Sequence, residues 1–232
     1  MAGTSTEIPI TNGLVMQLDA SDISTLFLTF DGNETVAAEN QPVGLWKDKS
    51  GNNNHLCQVI PEARPRVVIK GIGNRPSVEF DIGKSIFMTS NFPAPVTVIY
   101  VARQVSGWNR RVLSAMKNNW LLGYWSSAKN QGFYEGWVSP QGSPPSDDLC
   151  HIFSGIVRGP GYNSEVWADG SIVALNQNGV EGPNGLAINT GRFPQEVSDC
   201  QVAEIIVFNR DISHIERQQV EAYMKAKWGI KY

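Results

Sequence analysis

The sequence predicts an all-β fold: two antiparallel sheets packed as a sandwich and closed by one C-terminal helix. Three observations carry this. Short alternating apolar runs recur along the 232 residues, clusters of Gly, Pro, Asn and Asp separate them, and a helical period appears only after residue 212. A chain of this length suits one large β domain, and no linker or fixed-period repeat divides it. The expected division is an N-terminal arm at 1–12 and one sandwich domain at 13–232.

Leu14, Met16 and Leu18 alternate with Val15, Gln17 and Asp19, a first strand with one apolar face. Asp22-Ile23-Ser24-Thr25 reads as a single capped helical turn before 26–30, and Asp31-Gly32-Asn33 as a turn. Strands at 43–46 and 56–59 flank Trp46-Lys47-Asp48-Lys49-Ser50-Gly51-Asn52-Asn53-Asn54-His55. Gly and Asn there tolerate positive φ while Asp and Ser close local side-chain turns, so this stretch is a tight loop. Arg64-Pro65-Arg66 and residues 71–76 break the strand pattern. Further strands fall at 77–81 and 86–88, and the β-branched and aromatic run 96–101 marks a buried central strand.

Strands are then expected at 111–115, 120–125 and 133–138, with a Pro/Gly/Ser-rich loop at 139–148. Residues 151–157 and 164–167 come next, and Asp169-Gly170 turns the chain into a return strand at 171–175. The segments 185–189 and 201–209 complete the β part. Ser213 with Glu216 three positions on forms a capping box, and Gly229 sits where a helix stops. Ile215, Val220, Tyr223, Met224 and Trp228 share the expected buried face, with Arg217, Gln218, Glu221, Lys225 and Lys227 elsewhere.

Composition narrows the function classes. A net charge of −3, with 18% charged and 41% hydrophobic residues, lacks the basic footprint of a nucleic-acid binder. No stretch is long and apolar enough to insert in a membrane as a helix, and no secretory signal is visible at the N-terminus. Cys57, Cys150 and Cys200 cannot all pair within one chain and none lies in a CxxC, so reduced thiols and cytosolic synthesis are expected.

Four separated motifs carry a family resemblance. Gly13-Leu14-Val15-Met16-Gln17-Leu18-Asp19-Ala20 followed by Trp46-x-Asp48-x-Ser50-Gly51-Asn52 resembles the concanavalin A-like, laminin-G-like jelly-roll family found in phage and bacterial surface proteins. So do Arg75-Pro76-Ser77-Val78-Glu79-Phe80-Asp81 and the ending Glu204-Ile205-Ile206-Val207-Phe208-Asn209-Arg210 with its helix. The match spans residues 13–230. It implies a jelly-roll sandwich of two curved sheets. Its members include lectins, adhesion modules, phage tail and capsid-surface proteins and glucanases, so the fold leaves activity open.

A glucanase on such a fold places its carboxylates along one strand. Glu79-Phe80-Asp81-Ile82-Gly83 is the nearest approach, with Glu79 and Asp81 on one solvated face roughly 6–7 Å apart. The third position is Gly83, so the acid/base is missing and no enzyme is expected. Gly71-Ile72-Gly73 runs into Pro76 rather than a helix, Ser50 lacks a nucleophile-elbow setting, and His55 with Cys57 finds no second ligand pair. No metal or cofactor is required. A Ca²⁺ reading of the Trp46–His55 loop would use Asp19 and Asp48 as its carboxylates, but turn chemistry explains the loop as well.

The functional clue is aromatic. Trp108, Trp120, Tyr124, Trp125, Phe133, Tyr134 and Trp137 interleave with Gly, Asn and Ser, and aromatic faces also build cores. Glycan stacking is assigned to Trp108, Trp125, Tyr124, Tyr134 and Trp137, with Trp108 and Trp125 the first choices for exposure and Trp46, Trp167 and Trp228 assigned to the core. The leading expectation is a non-catalytic lectin-like module on a phage particle surface, as a capsid decoration or tail component. Its partners would be a surface glycan or neighbouring virion subunits, located on the virion or in the host cytoplasm during assembly. The arm, through Ile8 and Ile10, would add a strand to a second copy in a homo-oligomer. The alternatives are a bacterial carbohydrate-binding or adhesion lectin and, last, a glycoside hydrolase.

Overall fold

Alternation and turn chemistry build sixteen strands and one helix among the residues described by the computed structural model, 7–140 and 145–232. In chain order the strands begin with β1 (Leu14–Asp19), β2 (Leu26–Phe27), β3 (Leu45–Trp46), β4 (Leu56–Cys57), β5 (Arg66–Val68), β6 (Ser77–Phe80), β7 (Ile86–Phe87) and β8 (Val96–Ser106). They continue with β9 (Arg111–Ala115), β10 (Trp120–Gly123), β11 (Gln131–Tyr134), β12 (Cys150–Val157), β13 (Ser164–Ala168), β14 (Ser171–Asn176), β15 (Leu186–Ile188) and β16 (Asp199–Phe208). The helix α1 spans His214–Trp228. Part of the 139–148 loop expected from its Pro, Gly and Ser content, 141–144, lies outside the described residues, as do residues 1–6.

Two antiparallel sheets pack as a sandwich. The first runs β14-β13-β12-β8-β16-β6-β5, with β1 pairing the C-terminal half of β16 beyond β6. The second runs β11-β10-β9-β15-β7-β4-β3-β2. Val96, Val98, Tyr100 and Ala102 of β8 enter the core between the sheets, while Ile99 and Val101 enter a second core beneath α1. Burial on both faces is why 96–101 reads as a β-branched and aromatic run with no polar alternation beyond Thr97, whose hydroxyl donates to Arg210 O at 2.8 Å. On β16, Cys200 and Val202 point to the inter-sheet core, yet so do Ile205 and Val207, three and five residues after Val202. A bulge between Val202 and Glu204 absorbs the extra residue and turns Glu204 toward the helix.

The helix caps as its sequence predicts. Ser213 Oγ accepts from Glu216 N at 3.2 Å and Glu216 Oε2 accepts from Ser213 N at 2.8 Å, while Gly229 closes the helix with φ 65°. Val220, Tyr223, Met224 and Trp228 face the first sheet. Three expectations are corrected. Ile215 is 69% exposed because it lies in the first turn, ahead of the sheet contact. Arg217 and Glu221 are buried: they pair across one turn, Arg217 lies over the Trp167 ring at 3.7 Å, and Ser154 Oγ donates to Glu221 at 2.8 Å. Trp167 is half-buried rather than core, its Nε1 donating to Glu165 Oε2 at 2.7 Å.

Asp169 and Gly170, with φ 51° and 77°, make the β13–β14 hairpin turn. Asp169 also joins a clamp. His151 bonds Asp169 Oδ2 through Nδ1 and Asp147 Oδ1 through Nε2, both at 2.6 Å, and Lys129 holds Asp147 at 2.7 Å. Burial works against the His151 cation, but the bonds to Asp169 and Asp147 outweigh it and raise its pKa above 6.5. A raised folded-state pKa contributes stability present below the unfolded value and lost as pH rises through the folded one. Thermal melts between about pH 6 and 9 should therefore show the Tm falling as His151 deprotonates, and the slope should flatten in His151→Gln.

Candidate functional site

The loop after Trp46 is built around Asp48. Its Oδ1 accepts from Gln17 N and Ser50 N, each at 2.8 Å, and Oδ2 accepts from Ser50 Oγ at 2.8 Å and Asn54 N at 3.0 Å. Asn52 and Asn54 then donate to the carbonyls of Leu14 and Val15. The carboxylate is spent on the protein's own donors, and it staples the loop to β1. Asp19 is equally committed, to Ser21 Oγ at 2.6 Å, Lys49 at 3.1 Å and Lys227 at 2.8 Å. Ammonium groups thus hold the Asp19 carboxylate, and backbone and Ser50 donors hold that of Asp48. Among the described residues, no cluster of three His, Cys, Asp or Glu side chains could hold one.

Glu79 and Asp81 flank a single cation rather than a scissile bond: Arg66 reaches both, at 3.4 and 3.2 Å. Gln201 Nε2 also donates to Glu79 at 2.7 Å.

The aromatic stretch divides by strand parity. Tyr124 and Tyr134 are fully buried among the inter-sheet core with Trp120, whose ring stacks on Tyr134 at 5.4 Å. Neither tyrosine can stack on a ligand, which corrects the expectation from sequence. Trp108 is 45% exposed, on the β8–β9 loop, where its N–H donates to Asp199 at 3.1 Å. Trp125 and Trp137 are half-buried and meet at a centroid distance of 5.9 Å.

Trp125 and Trp137 line a pocket of about 240 Å³ with Phe133, Phe193, Leu121, Arg111, Asn119 and Glu196. It lies on the outer face of the second sheet, because Trp120, Leu122 and Tyr134 point inward and their neighbours Leu121 and Phe133 therefore point out. Trp137 packs edge-on to Phe133 at 5.2 Å. Trp125 opens a short 3₁₀ turn, Trp125–Ser127, whose Ser126 and Ser127 are held at φ 57° and 59°. Non-glycine residues rarely adopt this left-handed region, and the surrounding bonds enforce it. Ser146 N donates to Ser127 O at 2.7 Å and Asn109 donates to Ser127 Oγ at 2.8 Å.

The polar side of the pocket is a fixed network. Arg111 is buried, and it donates from Nε to Glu196 Oε2 at 2.6 Å, from Nη1 to Trp120 O at 2.8 Å and from Nη2 to Asn119 Oδ1 at 2.9 Å. Burial lowers the Arg111 pKa, and its bond to Glu196 offsets part of that. The guanidinium is flanked by the Phe193 ring at 5.0 Å and the Trp125 ring at 5.8 Å. Phe193, Arg111, Asn119 and Glu196 were not singled out from sequence, since they come from β9, the β9–β10 turn and the β15–β16 loop. A larger polar groove of about 800 Å³ lies between the arm, β1 and the C-terminal end of α1. Its principal charges, Asp19, Asp22, Lys49 and Lys227, already neutralise one another.

No family model matches the chain, and no curated protein matches it in sequence. Solved structures match it in fold. The binding domain of Paraclostridial Mosquitocidal Protein 1 aligns with TM-score 0.59 and 13% identity, over 94% of this chain and 53% of that one. Domain 4 of AbnA, a GH43 extracellular arabinanase from Geobacillus stearothermophilus in complex with arabinotriose, aligns with TM-score 0.57 and 10% identity, over 90% of this chain and 97% of that one. Trypanosoma rangeli sialidase in complex with the inhibitor DANA aligns with TM-score 0.55 and 15% identity, over 92% of this chain and 33% of that one. The chain thus spans about half of the first structure and a third of the sialidase. At these identities the likeness establishes the fold, a β-sandwich of two antiparallel sheets with a C-terminal helix.

Proposed function

We propose that the chain is a non-catalytic carbohydrate-recognition module of the concanavalin A-like jelly-roll kind, with the Trp125–Phe133–Trp137–Phe193 pocket as its binding site. The observation that carries this is the pocket itself: four half-buried aromatic rings beside a pre-bonded Arg111–Glu196–Asn119 network. Few, fixed polar groups in an otherwise apolar concavity are the usual make-up of a small-molecule site. Among solved structures of like fold, one is an arabinanase domain in complex with arabinotriose, which supports the class of ligand. The pocket lining supplies one carboxylate, Glu196, and Arg111 holds it, whereas a retaining glycosidase needs two about 5–5.5 Å apart. The module is a single sandwich of residues 13–232 with an arm at 1–12. Ile8 and Ile10 of that arm pack on this chain's own helix-side core. Display on a phage particle or a bacterial cell serves the site equally, because it needs only an open outer sheet face.

Isothermal titration against a panel of oligosaccharides tests the proposal. Trp137→Ala should weaken the best ligand at least tenfold, about 1.4 kcal/mol, while Trp108→Ala leaves it unchanged. Equal affinities for Trp137→Ala and the unmodified chain would place the site elsewhere.

A further inference from the structure

We infer that the aromatic pocket takes a single uncharged sugar ring and rejects acidic sugars, with Glu196 as the residue that sets this choice. The inference rests on the sugar-binding reading of that pocket and names the class of sugar. Size argues for one ring: about 240 Å³ is below the range of about 300–1,000 Å³ that accommodates drug-sized ligands.

Charge argues against a carboxylated sugar. Arg111 is the cation in the lining, yet each of its three nitrogens already donates to a protein oxygen and aromatic rings flank its plane. Three of its five N–H groups are used in these bonds, and a ligand carboxylate reaching the others would compete with Glu196, which already pairs with the same guanidinium. Glu196, a quarter exposed, holds a negative charge at the same wall. A second carboxylate there leaves two negative charges sharing the single guanidinium of the pocket lining, whereas a neutral sugar leaves the Arg111–Glu196 pair balanced. Arg110 lies on the rim, exposed, its guanidinium 5.2 Å from the Trp125 ring. Solvent and salt screen it, so it contributes little to selectivity within the pocket.

Hydroxyl groups, by contrast, find both kinds of partner. Among the described residues, Glu196 Oε1 and Asn119 Nδ2 have no hydrogen-bond partner, because Arg111 takes only Oε2 of the one and Oδ1 of the other. Vicinal hydroxyls of a neutral ring satisfy this pair, one donating to Glu196 and one accepting from Asn119, while the ring face lies on an aromatic side chain. Arg111 is the positioning residue that fixes both groups.

Titration of stereochemically matched pairs, glucose with glucuronate and galactose with galacturonate, tests this together with N-acetylneuraminate. The bound neutral sugar should exceed its acid counterpart by at least tenfold at 0.15 M salt, the screened condition. Glu196→Gln should reduce that ratio by at least threefold, chiefly by improving the acid. If acids bind as well as neutral sugars and Trp137→Ala abolishes both, the inference falls while the site stands. If no sugar binds the unmodified chain, the site reading fails and takes the inference with it. Should Glu196→Gln not fold, as read by its thermal melt, the neutral-to-acid ratio of the unmodified chain decides alone.

Discussion

Replacing Lys227 with Met should destabilise the chain by about 3–5 kcal/mol, the cost of leaving buried charge without its partner. Lys227 Nζ sits between Asp19 Oδ2 at 2.8 Å and Glu204 Oε2 at 3.0 Å, and Tyr223 Oη lies 3.0 Å away. Glu204 is fully buried and also accepts from Trp228 Nε1 at 2.7 Å, Tyr223 Oη at 3.0 Å and Gln17 Nε2 at 3.0 Å. One ammonium therefore joins α1 to β1 and β16. Burial raises the Glu204 pKa and Lys227 opposes that rise, while for Asp19 the Lys227 charge overcomes burial and lowers it. Without Lys227 both carboxylates face each other with only Lys49 beside Asp19.

At about 2–4 °C per kcal/mol for a chain this long, the Tm should drop by about 6–20 °C. The pH dependence has a definite sign. In Lys227→Met the folded-state pKa of Glu204 rises further above its unfolded value, so the loss is largest near neutrality and shrinks as acid protonates Glu204. Adding Glu204→Gln should recover part of the stability, because the amide oxygen still accepts from Trp228 and the Glu204 charge no longer stays buried beside Asp19, which keeps Lys49. A Lys227→Met chain as stable as the original, at pH 7 in urea, would show that the cluster contributes nothing net.

This hub shows where a linear reading succeeds and where it stops. The strands and the helix were legible because period-two alternation, Asp169-Gly170 and the Ser213–Glu216 box are local signals. Local signals also mislead. Arg64-Pro65-Arg66 reads as a break, yet β5 starts at Arg66, since an edge strand tolerates a proline just before it. Lys227, Arg217 and Glu221 read as solvated because charge normally is, but each has a partner within 3.0 Å that no spacing rule points to except the i,i+4 pair.

The candidate site was half visible. Trp125 and Trp137 stand out in an aromatic, Gly-rich stretch, whereas Tyr124 and Tyr134 share that stretch and face the core. Parity sets Trp120, Leu122 and Tyr124 on one face and Leu121 and Trp125 on the other, as observed, but both faces carry apolar groups, so parity alone does not say which of them is the core. Phe193 and Glu196 come from far along the chain, and only tertiary structure brings them to Arg111.

Asp48→Ala should cost about 3 kcal/mol, since hydrogen bonds to a charged group contribute about 1.5–3 kcal/mol each and these are coupled through one carboxylate. The side chain accepts from three backbone N–H groups, those of Gln17, Ser50 and Asn54, and it is 9% exposed. Ser50 and Asn54 stand near water and can find replacement partners, but Gln17 lies within β1, where the bond extends the sheet edge. Asp48→Asn separates charge from shape. It preserves the volume, yet its amide NH₂ must replace one of two oxygens that both face donors, so a loss of about 1–2 kcal/mol is expected. Urea unfolding midpoints give the two costs, and hydrogen exchange should accelerate at Gln17 and Asn54 before any global opening. A calcium-binding role for Asp48 predicts instead that added Ca²⁺ raises the Tm of the unmodified chain and not of Asp48→Asn. With all four bonds of the carboxylate directed at the protein, no Ca²⁺-dependent shift is expected.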